Sequence, residues 1–174
     1  YDLVGACLEN DYYNSLDDEG KAKVISDMYS LSKKVASAYV KDDYTSTDKV
    51  FNIYQEGGAQ AVLDYMKYRD SVKSAGIESS SERTQAIYDN LGDEGLKLYS
   101  EAKAQYGDDE KMSAGNLIPF LDSKSLTSSQ KGEYMANFTT LAKGAQKFAD
   151  KGDYAKVYQY YNIKSNADTD GNGS

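Results

Sequence analysis

Apolar side chains recur along this chain at intervals of three and four residues, the spacing that places them on one face of an α-helix. The stretch 21–40 carries such a stripe, and the stretches 58–76, 95–107 and 131–149 repeat it. No segment alternates apolar and polar residues over more than a few positions, and Pro119 is the single proline. The pattern predicts an all-α fold, a compact multi-helix domain of about eight or nine helices with almost no sheet.

Capping residues and glycines predict where these helices begin and end. Thr127 stands three residues before Gln130, which is the spacing of a capping box. The other candidate N-caps, in chain order, are Asp17, one of residues 79–81, Asp93 and Ser113. The glycines that interrupt the pattern are Gly57, Gly58, Gly76, Gly107 and Gly152.

A shift of 110 residues aligns part of the chain with itself. Segments 15–44 and 125–154 share eight identical residues, where composition alone gives roughly two. The similarity predicts an internal duplication, with residues 1–110 as a first helical repeat that carries an insertion and 111–174 as a second, truncated repeat. The two segments are expected to superpose as similar helix-plus-turn units, with Leu16 and Leu126 mostly buried as hydrophobic staples. Chance similarity between two acidic helical segments is the alternative.

Composition narrows the range of chemistry. The net charge of −8 disfavours nucleic-acid phosphates as partners, and no apolar run approaches the roughly 20 residues of a membrane span, so we expect neither nucleic-acid binding nor membrane insertion. The absence of histidine removes the commonest general base and zinc ligand. Cys7 lies among apolar residues, which is typical of a buried structural thiol. No set of residues suggests catalysis, and we predict that the protein is not an enzyme.

Tyrosine is the dominant aromatic residue, with 17 copies and no tryptophan. Many tyrosines fall at helical spacing. One interpretation places them at the edge of the core with their hydroxyls in water, and the other makes them an adhesive interaction face.

The last seven residues match the first half of an EF-hand calcium loop. Such a loop takes side-chain oxygens from positions 1, 3 and 5, a glycine at 6, a backbone carbonyl from 7 and a bidentate Glu from 12. Asp168, Asp170 and Asn172 fit positions 1, 3 and 5, Gly173 fits 6, and Ser174 would supply the carbonyl of 7. We expect the chain to continue into the missing half, with calcium binding weak or absent until position 12 is present. A polar tail without a ligand is the alternative.

Two other junctions between helices, at 73–89 and 105–122, have the outline of such a unit without its ligands. Neither junction carries the Asp-x-Asp-x-Asn-Gly pattern. Both are interpreted as degenerate, metal-free EF-hand-like helix-loop-helix units.

The end of the chain, "YYNIKSNADTDGNGS", resembles a recurring element of large proteins from phages and prophages of Gram-positive gut bacteria. There a tyrosine-rich helix enters an Asp-x-Asp-Gly-Asn-Gly-Ser loop that continues as V-[ST]-Q-x-E, a half that this chain lacks. The upstream "YNSLDDEGKAKVISDMYSLSKKVA" resembles the helix that precedes that element. The resemblance implies a virion-associated, minor structural protein whose partners are other virion or assembly proteins.

Two hypotheses for function follow. The first is a non-catalytic structural or interaction module of a phage virion-associated protein, located in the virion. The second is a calcium-binding surface or dockerin-like helical module of a Gram-positive bacterium.

Overall fold

The computed structural model describes residues 3–41, 47–107 and 109–169, apart from the side chains of 35–41, 109 and 164–169. Every regular element within these ranges is helical, and the helix count matches the prediction, so the all-α fold is confirmed. The α-helices are α1 (Leu3–Cys7), α2 (Asp11–Asn14), α3 (Asp18–Lys41), α4 (Thr47–Ser74), α5 (Glu82–Tyr106), α6 (Ile118–Asp122), α7 (Ser128–Phe138), α8 (Lys143–Asp150) and α9 (Tyr154–Thr169). Two 3₁₀ turns, Asp109–Lys111 and Gly115–Leu117, precede α6.

Most predicted helix starts are correct. Asp17 caps α3, where its carboxylate accepts from the Gly20 amide at 2.8 Å. Thr127 caps α7 with the full capping box. Ser113 is a wrong prediction, because the chain enters α6 through a 3₁₀ turn and no side chain caps that helix. Pro119 explains the difference: it lies in the first turn of α6, where its missing N–H needs no partner.

Two of the longest helices are broken at a glycine. Gly58 in α4 has φ 76° and ψ −170°, and Gly92 in α5 has φ 66° and ψ −157°. A Cβ built on Gly95 would lie 3.1 Å from Cγ2 of Ile87, eight positions earlier, whereas a straight helix separates such positions by about 12 Å along its axis. The chain therefore folds back at Gly92, and α5 consists of two packed halves.

The chain forms two compact units, Tyr1–Lys73 and Ser74–Ser174. The predicted repeat boundary between 110 and 111 lies inside the second unit. None of the helices in the described ranges combines the length and the apolar character needed to cross a membrane.

The core of the first unit forms where α1, α3 and α4 meet. Its buried side chains are Leu3, Cys7, Val24, Met28, Leu31, Val50, Phe51, Tyr54, Val62 and Met66. Cys7 is fully buried and its thiol donates to the Leu3 carbonyl, so the prediction of a structural thiol is confirmed. Helix α4 supplies core residues from both sides of the break at Gly58, so both of its halves pack against this core.

The core of the second unit forms where α5, α7 and α9 pack together. The Tyr99 ring meets the Phe138 ring edge-on, with the centroids 5.2 Å apart, and this contact joins α5 to α7. Helices α7 and α9 approach so closely that a Cβ on Gly132 would lie 1.8 Å from the Tyr154 carbonyl oxygen. Helix α8 is held to α9 by the Tyr161 hydroxyl, which accepts from the Ala142 amide at 2.7 Å.

The segments that the repeat predicts to be equivalent differ in structure, and this prediction was wrong. Leu16 and Leu126 both lie next to a helix cap and are both partly buried. Beyond that start, α3 continues without a break, whereas α7 ends at Phe138 and α8 begins at Lys143. The helix ends at two β-branched residues, Thr139 and Thr140, where α3 has tyrosine and serine. The Tyr161 bond to Ala142 then holds the extended connection.

Candidate functional site

The predicted calcium loop lies mostly beyond the part of the chain that the structure describes. Helix α9 extends to Thr169, so the backbone of Asp168 belongs to its last turn. The side chain of Asp168, and all of Asp170, Asn172 and Ser174, lie outside the described residues. Among the residues that are described, no three His, Cys, Asp or Glu side chains are grouped to hold a metal ion. The calcium site therefore stays a prediction.

A groove in the second unit is a candidate binding site that the sequence patterns did not indicate. Its volume is about 640 Å³. It is lined by residues from the α4–α5 loop and from both ends of α5: Gly76, Ile77, Glu78, Ser79, Ser81, Arg83, Thr84, Tyr99, Ser100, Lys103, Ala104 and Gly107. The fold-back at Gly92 creates this site, because it brings the first turn of α5 beside its last two turns.

The loop wall of the groove is fixed by a capping box. The Ser81 amide donates to Oγ1 of Thr84 at 2.7 Å, and the Thr84 amide donates to the Ser81 hydroxyl oxygen at 3.2 Å. Gly76 turns the chain into this loop with φ 80°, and a Cβ there would lie 3.8 Å from the Ser100 hydroxyl. The cap thus fixes the end of the loop on the first turn of α5, and it confirms the predicted helix start within 79–81.

Two cationic side chains line the groove from opposite halves of α5. The Arg83 guanidinium donates to the Asn137 carbonyl at 2.9 Å, which fixes its position against α7. The Lys103 ammonium lies 5.5 Å from the centroid of the Tyr99 ring. Glu78 is the single carboxylate among the lining residues, so the groove carries one net positive charge in a chain whose net charge is −8.

A Lys–Asp–Tyr cluster joins α3 to α4 in the first unit. One carboxylate oxygen of Asp27 accepts from the Lys23 ammonium at 2.8 Å and from the Tyr54 hydroxyl at 2.6 Å. Burial alone would raise the pKa of Asp27, but these bonds favour the carboxylate and the net pKa is lowered. Burial and the bond to Asp27 raise the pKa of Tyr54, so its hydroxyl stays protonated as the donor.

A second Lys–Asp–Tyr cluster joins three helices of the second unit. Asp122, the last residue of α6, accepts from Lys131 of α7 at 2.9 Å and from the Tyr158 hydroxyl of α9 at 2.7 Å. Burial would raise the pKa of Asp122, but the two bonds outweigh it and the pKa is lowered. The bond to Asp122 raises the pKa of Lys131, and burial together with that bond raises the pKa of Tyr158.

These shifts suit structural ties rather than reactive groups. A tyrosine whose pKa is raised is a poorer nucleophile and base at neutral pH, and a lysine whose pKa is raised keeps its proton. In each cluster the shifts keep the Tyr hydroxyl protonated and the Asp carboxylate ionised, which strengthens the hydrogen bond that joins the two helices.

Four tyrosines depart from the interpretation that places tyrosine hydroxyls in water, because their hydroxyls bond to protein groups. Tyr54 and Tyr158 are buried and bond to carboxylates of other helices, Tyr106 donates to the Asn116 carbonyl, and Tyr161 accepts from Ala142. Among the contacts of the two clusters, the sequence indicates only the pair Lys23 and Asp27, because these residues stand four apart on one helix.

The groove and the two clusters thus have different capacities. The groove offers open, positively charged space with several hydroxyl groups, which suits recognition of a small polar molecule. The clusters hold helices together. Comparison of the chain with protein-family models, curated proteins and solved structures finds no match.

Proposed function

We propose that this chain is a structural and interaction module of a phage virion-associated protein, which acts by packing and assembly rather than by catalysis. The observation that supports this proposal is that the Lys–Asp–Tyr clusters connect helices within each unit. In each unit an Asp whose pKa is lowered accepts a hydrogen bond from a Tyr of another helix, Asp27 from Tyr54 and Asp122 from Tyr158. The resemblance of the chain's end to virion-associated proteins supplies the phage setting.

Particle composition tests this function. Virions are purified from the lysate of the source culture, and their proteins are measured by quantitative mass spectrometry. We expect peptides of this chain to co-purify with the major capsid protein at a fixed ratio through successive density gradients. Peptides that separate from the particles during these gradients would rule out a virion component.

A calcium-binding module is a second candidate, favoured by one feature of the backbone. Helix α9 extends to Thr169, so Asp168 lies in its last turn. In an EF-hand the calcium loop begins at the end of the entering helix, and Asp168 stands at position 1 of the predicted loop. The seven residues of the half-loop supply about four protein oxygens, whereas calcium takes six to eight.

Calorimetry on a lengthened chain tests this candidate. Five residues are added after Ser174 so that a Glu stands at position 12. We expect calcium binding in this chain, its loss in Asp168→Ala, and no change in the control Glu110→Ala, which removes an exposed carboxylate elsewhere in the unit. If the lengthened chain gives no calcium heat at low salt, the loop has no metal function.

A further inference from the structure

We propose that the groove of the second unit binds a small organic anion that carries hydroxyl groups, of the chemical class of the sugar phosphates. Two cationic side chains from opposite halves of α5, Arg83 and Lys103, share this groove with the serine hydroxyls of its wall.

The positive charge of the groove comes from the Arg83 guanidinium and the Lys103 ammonium. The bond from Arg83 to Asn137 uses one of five N–H donors and fixes the planar group in place. Arginine and lysine together are the side chains that recognise phosphate and carboxylate groups.

The remaining lining groups favour a ligand with hydroxyls over a bare inorganic ion. Ser79, Ser81 and Ser100 line the groove, and a serine hydroxyl both donates and accepts. The Ser81 oxygen already accepts from the Thr84 amide, which leaves Ser79 and Ser100 as the more available partners. A volume of about 640 Å³ is in the range of pockets for small organic molecules and far exceeds a phosphate ion.

The N-terminus of α5 is not counted as a source of binding. Its Thr84 amide is satisfied by Ser81, and the Thr84 hydroxyl is engaged with the Ser81 carbonyl at 3.0 Å. The selectivity for an anion must therefore come from the side chains of Arg83 and Lys103, so substitution of either residue tests the proposal.

Nuclear magnetic resonance titration tests the proposal on the full chain, with glucose 6-phosphate, glucose and inorganic phosphate as probes. We expect glucose 6-phosphate to shift the amide signals of Ile77, Ser79 and Ser100 in a saturable manner, with a dissociation constant of about 1 mM for this open site. Glucose and phosphate alone should bind at least several-fold more weakly. Added salt should weaken the binding of glucose 6-phosphate, because the charges are partly exposed.

Two substitutions in the groove and one matched control locate the site. Arg83→Gln and Lys103→Gln should each weaken binding about tenfold, as expected for loss of a charged hydrogen bond. Lys97→Gln removes a lysine from the same helix that does not line the groove, and it should leave binding unchanged. If Arg83→Gln lowers the melting temperature by loosening α5 from α7, Lys103→Gln decides, because it keeps the bond to Asn137.

Three results would overturn the proposal. The first is the absence of saturable shifts with glucose 6-phosphate. The second is binding of inorganic phosphate as tight as that of glucose 6-phosphate. The third is that Lys97→Gln and Lys103→Gln weaken the binding of glucose 6-phosphate equally. The first excludes the site, the second excludes the hydroxyl-bearing ligand class, and the third moves the binding away from the groove.

Discussion

Gly132 has no side chain, and this allows α7 and α9 to approach each other closely. A Cβ there would lie 1.8 Å from the Tyr154 carbonyl oxygen and 2.7 Å from its carbonyl carbon, which are backbone atoms that a rotamer change cannot move. We expect Gly132→Ala to lower the free energy of unfolding by about 3 kcal/mol or more, since the two helices must separate. Urea denaturation followed by circular dichroism measures this loss.

Gly115→Ala is the matched control for this substitution. Gly115 lies in the same unit, and a Cβ there would have no neighbour within 4 Å. Its substitution should change the free energy of unfolding by less than about 0.5 kcal/mol. Similar losses for the two variants would show that α7 and α9 do not depend on the close approach.

Gly58 and Gly92 are required for a different reason, which is backbone conformation alone. A Cβ at either position would have open space around it, but both residues have a positive φ with ψ near 180°, a region that is almost restricted to glycine. We expect Gly58→Ala and Gly92→Ala to cost about 1–3 kcal/mol each, measured by urea denaturation. A cost near zero would mean that the breaks form equally well with a side chain.

The clusters of Lys, Asp and Tyr act at the scale of helix pairs, and the second cluster gives a test that depends on pH. Asp122→Asn removes the charge that Lys131 and Tyr158 share. Because Asp122 is partly exposed, we expect a loss of about 1 kcal/mol at pH 7 rather than the larger effect of a fully buried pair. Urea denaturation at a series of pH values measures it.

The sign of the pH dependence follows from the direction of each shift. The pKa of Asp122 is lowered in the folded state, so its contribution is complete above the ordinary value of 3.8 and is lost as the pH falls through the folded-state value. The pKa values of Lys131 and Tyr158 are raised, so their contributions are complete below 10.5 and 10.0 and are lost as the pH rises through the raised values. The difference between the parent chain and Asp122→Asn should therefore narrow in acid and in alkali.

Asp89→Asn is the control for the removal of a carboxylate. Asp89 is exposed, and its bond in the structure comes from Gln85 of the same helix. Its stability difference from the parent chain should be small at neutral pH. If Asp122→Asn behaves in the same way across the pH range, the cluster does not stabilise the unit.

Local signals in the sequence predicted the helices, their caps and several of their breaks. Asp17, Thr127 and the serine run at 79–81 were read correctly because a cap uses residues three apart. Gly58, Gly76, Gly107 and Gly152 all have a positive φ, as expected of glycines that end or break a helix. These features depend on neighbours in the chain, which a sequence shows directly.

Features that depend on tertiary contacts were missed. The interruption between α7 and α8 is held by Tyr161, 19 positions beyond Ala142. The groove brings Arg83 and Lys103 together only because α5 folds back, and nothing in the sequence gives the direction of that fold. The alignment of the chain with itself at a shift of 110 residues detected similar helix starts. It could not show that α3 continues while the aligned segment is interrupted between α7 and α8.

At the scale of the whole molecule, the placement of the cores predicts where the chain can be divided. Each compact unit contains its own buried side chains. We expect fragments 1–73 and 74–174 to fold separately, because the first keeps the contacts of α1, α3 and α4 and the second keeps those of α5, α7 and α9. Circular dichroism with thermal melting of each purified fragment measures this.

A fragment cut at the repeat boundary makes the decisive comparison. Residues 111–174 keep α7, α8 and α9 but lose α5, and with it the Tyr99 ring against Phe138 and the Arg83 bond to Asn137. A chain of roughly 60 residues buries only about 60% of its surface on folding, so it has little stability to spare for that loss. We therefore expect a cooperative melting transition for 74–174 and none for 111–174. A cooperative transition in 111–174 would show that the repeat boundary divides the protein physically, and that α5 is not needed to complete the core beside α7 and α9.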